Sequence, residues 1–79
     1  MDKNQVFDKV KAVILDELDV AQAKVTMDAK LKEDLGADSI DAVQIIMALE
    51  DEFDIKLEDD NLEKISTVGD VVEFILQVL

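Results

Sequence analysis

The 79-residue chain contains no cysteine, no histidine and no proline, and only eight basic residues. Each absence closes off some chemistry. Without Cys there is neither a disulfide framework nor a thiolate zinc site. Without His, this chain alone can assemble neither a Ser–His nucleophile pair nor an imidazole metal site. The few cations face 20 acidic residues, for a net charge of −12. Nucleic acid is therefore a poor partner, because phosphate backbones select Lys and Arg. An anionic membrane surface would repel the chain for the same reason, and no apolar run reaches spanning length, so no membrane insertion is expected. A basic protein surface is the natural complement. The plainer alternative is that the charge keeps a small monomer soluble. Residues 1–5 are polar and nothing reads as a secretory signal, which leads us to expect a monomer in the cytoplasm.

What remains is enough to fold. Hydrophobic residues make up 49% of the chain, no repeat or linker divides it, and one domain over residues 1–79 with a modest core is expected. The patterns predict an all-α fold, a small bundle of three main helices plus one short helix, with a long loop between helices one and two. The first helix covers residues 3–18. Val6, Val10, Val13, Ile14 and Leu18 share one face, and Asp2 with Gln5 resembles a capping box. Residues 19–37 show no sustained period. A loop this long in so small a chain is often functional, and Val25, Leu31 and Leu35 are expected to pin it to the core.

The second helix is predicted over residues 38–53, with Gly36 breaking the chain before it. Asp38 is the N-cap, and Asp41 adds a carboxylate where the helix dipole favours one. A short apolar patch at 55–57 precedes a weak helix at 59–64. The last helix starts at Thr67 with Asp70 in the capping-box position. It carries the stripe Val68, Val71, Val72, Ile75, Leu76 and Leu79, and places Gly69 in its first turn, where glycine costs less than mid-helix.

Helix two has two apolar stripes. Ala42, Ile45, Ile46, Leu49 and Phe53 cluster on one side, which is assigned to the core. Ile40, Val43 and Met47 fall on roughly the opposite side, flanked by Glu50, Asp51 and Asp54. They either pack under the long loop or form a strip rimmed by charge for a partner's groove. Charge placement favours the second reading. Residues 33–63 hold twelve acidic residues and one lysine, a net −11, whereas a merely solubilising charge would be spread around the chain.

The run Glu33-Asp34-Leu35-Gly36-Ala37-Asp38-Ser39-Ile40-Asp41 resembles the modification motif of acyl carrier proteins. The resemblance continues through residues 43–53 and 63–68 and covers essentially the whole length. It implies a carrier rather than an enzyme, with 4'-phosphopantetheine attached covalently at Ser39 and Gly36 and Asp38 shaping that site. The implied work is to hold acyl groups as thioesters, foremost in fatty acid biosynthesis. Partners would be a pantetheinyl transferase (the holo-carrier synthase) and fatty-acid-synthesis enzymes with basic docking patches. They would meet Ile40, Asp41, Val43, Met47, Glu50, Asp51 and Asp54. The matching acyl-pocket positions are Ile45, Ile46, Leu49, Phe53, Leu62, Ile65 and Val71, residues that would fill an ordinary core in any case.

The sequence departs from the family's pattern at Ile40, where Leu is usual, at Gln44, often Glu, and at Glu58, commonly Pro. The nearer alternative is a specialised carrier of polyketide, D-alanyl or other acyl groups. An acidic interaction module with no prosthetic group is the more distant alternative. A calcium sensor lacks support, because the EF-hand spacing with its central Gly is missing. No specific metal site is expected.

Overall fold

A computed structural model describes residues 2–56 and 65–79. Among them are three α-helices and no strand. The expected short helix at 59–64, with Leu62, Glu58 and Leu57, lies outside the described residues. Helix α1 covers Lys3–Glu17, α2 Ser39–Phe53 and α3 Val68–Val78, and α1 packs against both of the others.

Each helix starts at a reciprocal capping box. Asp2 pairs with Gln5, Asp38 with Asp41 and Thr67 with Asp70. A side-chain acceptor at the cap satisfies an otherwise orphaned N–H, and a polar side chain three residues on reaches back. The core follows the helical periods. Val6, Val10 and Ile14 from α1, Ile45, Ile46, Leu49 and Phe53 from α2, and Val68, Val71, Val72 and Ile75 from α3 are all buried. Among the described residues two exposed ion pairs cross the helix seams, Lys9–Glu52 at 3.2 Å and Lys3–Glu73 at 3.0 Å. Each is worth at most about 1 kcal/mol.

The long connection between α1 and α2 is ordered by backbone pairing. After a 3-10 turn at Gln22–Lys24, it runs beside the residues that lead into α3. Leu31 N–H donates to the Ser66 carbonyl at 3.0 Å, Val68 N–H to that of Ala29 at 2.9 Å, and Gly69 N–H to that of Met27 at 2.8 Å. Lys30 and Thr67 form an isolated antiparallel bridge. Val25, Leu31 and Leu35 are buried as expected, and Ala29 and Ala37 join them.

Gly69 has a different role from the one expected. Its place in the first turn makes a glycine tolerable, but packing makes a glycine necessary. A Cβ there would lie 2.9 Å from the Met27 carbonyl oxygen.

Asp70 ties this junction together. Its carboxylate accepts from the Ser66 N–H at 3.0 Å, the Ser66 hydroxyl at 3.0 Å and the Thr67 N–H at 3.1 Å. The backbone donors of Ser66 first, then Thr67, hold its pKa below the ordinary Asp value. A lowered carboxylate pKa contributes stability above the ordinary Asp range, and that stability is lost as pH falls through the lowered value. Asp70→Asn should therefore cost about 1–2 kcal/mol at neutral pH. Urea denaturation at pH 7 and near pH 3 should show the gap to the parent closing at the acidic end.

Candidate functional site

The entry to α2 is shaped from the backbone outward. Gly36 has φ +72°, a left-handed conformation that side chains resist, and it turns the chain sharply. Ala37 follows, buried, with its N–H bonded to the Leu31 carbonyl at 2.8 Å. Asp38 then caps the helix. The Asp41 N–H donates to its carboxylate at 2.8 Å, and the Asp38 N–H donates to the Asp41 carboxylate at 3.3 Å. Ser39 is the first helical residue, and it is exposed. Its hydroxyl makes no hydrogen bond among the described residues. The Ala42 N–H is taken by the Asp38 carbonyl at 2.9 Å. That leaves the N–H groups of Ser39 and Ile40 at this helix end without an acceptor among the described residues.

Ser39 lines the wall of a cleft of about 440 Å³. The long loop supplies one side (Lys30, Leu31, Lys32, Glu33 and Ala37), α2 supplies Ser39, Ala42 and Val43, and Ile65 with Ser66 completes it. Leu31, Ala37, Ala42, Val43 and Ile65 make its surface largely apolar. The pairing of residues 27–31 with 66–69 fixes the loop wall against the residues leading into α3, and the Ala37–Leu31 hydrogen bond ties that wall to the entry of α2.

The two stripes of helix α2 separate as follows. Ile45, Ile46, Leu49 and Phe53 are core, while Ile40, Val43 and Met47 stand 68%, 45% and 59% exposed. The loop does not cover them. At 100° per residue Asp51 and Asp54 continue this side of the helix, and both are exposed. Glu50 and Asp41 are half-buried. Of the expected acyl-pocket positions, Ile65 lies on the cleft wall, Leu62 is outside the described residues, and the other five are buried in the core. Sequence reasoning did not single out Lys30, Lys32, Ala42 and Ser66 as cleft residues. Among the described residues no group of three or more acidic side chains is placed to hold a metal ion.

A family model described as the phosphopantetheine attachment site matches residues 8–75. The acyl carrier protein of Thermotoga maritima is 51% identical over 73 residues, covering 92% of this chain and 90% of its own. The chain belongs to the acyl carrier protein family. The solved structure of the Enterococcus faecalis acyl carrier protein superimposes with a TM-score of 0.81 at 37% identity, covering both chains completely. As an acyl carrier protein this chain is a carrier and not an enzyme, and its prosthetic group is covalently attached 4'-phosphopantetheine.

Proposed function

We propose that Ser39 is the attachment residue and that the protein carries acyl intermediates for fatty acid biosynthesis in the cytoplasm. The observation that carries this reading is an exposed serine hydroxyl, unbonded among the described residues, at the first position of α2 beside an apolar cleft. The residues present fit the group. The helix N-terminus offers the Ser39 and Ile40 N–H groups and a favourable dipole to an esterified phosphate. The Asp38–Asp41 box fixes where α2 begins and so where the hydroxyl points. When bound, the arm supplies a terminal thiol that holds acyl groups as thioesters. The chain has no His to activate Ser39, so a separate pantetheinyl transferase must supply the base.

Ile40, Val43 and Met47 give a partner's groove an apolar strip, and Asp51 and Asp54 orient it by charge against a basic patch. Met47 adapts to grooves of different shape. The open cleft gives an acyl chain apolar shelter along Leu31, Val43 and Ile65. Ile45, Ile46, Leu49, Phe53 and Val71 are closed core, so a longer chain reaches them only by parting that packing. Tethering raises the local concentration of acyl group at each docked enzyme without any new contact.

The test is to incubate apo-protein with a pantetheinyl transferase and coenzyme A, then map the modified peptide by mass. A gain of one arm on the peptide containing Ser39 is the expected result. No gain, or a gain elsewhere, overturns the assignment. For docking, Asp51→Lys should weaken binding to a basic-patched synthase about ten-fold at low salt and flatten its salt dependence, with the melting curve unchanged. Titrations at two ionic strengths read this. Unchanged affinity would remove the acidic face from the docking surface.

A further inference from the structure

We propose that Lys32 is a positioning residue for the phosphate of the prosthetic arm, its ammonium pairing with the phosphodiester on Ser39 and holding the arm over the cleft. The inference rests on Ser39 being the attachment residue. A phosphodiester there brings a negative charge next to the Asp38 and Asp41 carboxylates, which the capping box holds at the same helix end. The whole chain is already strongly acidic, so the ester has a local need for a cation. Among the described residues, the cleft that Ser39 lines carries two, Lys30 and Lys32.

They are not equivalent. Lys30 Nζ lies 3.2 Å from the Glu33 carboxylate, so its charge is already partnered. Lys32 has no ion pair or hydrogen bond among the described residues. The backbone that presents it is nonetheless fixed. Its neighbour Leu31 is buried and bonded through its N–H to Ser66, which sets the exposed side chain of residue 32 on the cleft wall. A lysine on a flexible stem suits this task, because it meets a phosphate as a mobile point charge rather than a fixed fork. The plain alternative is a solvated surface lysine, indifferent to the arm.

The experiment compares the acylation rate of individual lysines in the apo and holo forms of the full chain, using a water-soluble activated ester and peptide mass mapping. Lys32 should react about two- to five-fold more slowly in the holo form, the range an exposed ion pair supports. Lys24, which lies outside the cleft, should react equally in both. In parallel, the 31P resonance of holo Lys32→Met should relax more slowly than that of the parent, because its phosphate moves more freely. Equal Lys32 reactivity in both forms, or a 31P relaxation unaffected by the substitution, overturns the proposal while leaving attachment intact. A chain that takes no arm at Ser39 overturns both readings, and intact mass reveals that first.

Discussion

Ser39→Ala should accept no arm at all and yet unfold within about 0.5 kcal/mol of the parent protein. The two halves of that expectation come from one geometry. The Ser39 hydroxyl is exposed and contributes no hydrogen bond among the described residues, so deleting it removes nothing from the fold. The same hydroxyl is the only atom the variant loses, so a complete failure to load cannot be blamed on structure.

Asp38→Ala gives the complementary result. It keeps the Ser39 hydroxyl but removes the acceptor for the Asp41 N–H, at a cost of about 1 kcal/mol in capping. Loading should slow without vanishing, because α2 then frays where the transferase must find Ser39. Intact mass over a time course with transferase and coenzyme A, beside urea denaturation, separates the variants. A Ser39→Ala protein that still gains the arm would move the attachment elsewhere. One that unfolds would show that the hydroxyl has a structural duty the fold does not reveal.

What could be read beforehand was mostly local. The caps of α1, α2 and α3 depend on residues three apart, Asp2 with Gln5, Asp38 with Asp41 and Thr67 with Asp70, and such spacings are visible in a linear string. The core faces of α1 and α3 follow from their 3.6-residue period for the same reason, except at their margins, where Val13 and Leu76 are half-buried and Leu79, expected in the α3 stripe, is exposed at the helix end. The second stripe of α2 was visible as a pattern but not as a surface. Whether Ile40, Val43 and Met47 lie under the loop depends on where the loop runs, which is a tertiary fact. The cleft was hidden altogether. Its walls come from residues around 30, around 40 and around 65; the bridge between Lys30 and Thr67 joins the first and last, and the Ala37–Leu31 bond ties the entry of α2 to them. No local signal marks two residues so far apart as partners. Glycine misleads in a similar way, for Gly36 announces a turn wherever it stands, whereas the need for Gly69 arises from a distant backbone segment that approaches it.

That approach makes Gly69→Ala the sharpest probe of how the loop is held. On helix propensity alone the change should stabilise by up to about 1 kcal/mol. The structure requires the opposite sign. The new Cβ would sit 2.9 Å from the Met27 carbonyl oxygen, the same oxygen that accepts the Gly69 N–H at 2.8 Å. Relieving the clash means moving that backbone, which strains the adjoining bonds from Val68 to Ala29 and from Leu31 to Ser66. Overpacking of this kind costs about 1–3 kcal/mol, and a weakened backbone hydrogen bond adds about 1 kcal/mol. The net loss should be about 1–3 kcal/mol, which for a chain of this size lowers the melting temperature by roughly 5–20 °C. Shortening the Met27 side chain should not rescue it, because the obstruction is main chain and the Met27 methyl stands at an ordinary 3.6 Å. Since the displaced residues adjoin the wall that carries Lys32, holo Gly69→Ala should also lose part of the Lys32 protection from acylation. A variant as stable as the parent would mean that the loop yields easily at this point and that the cleft is not held open by backbone pairing.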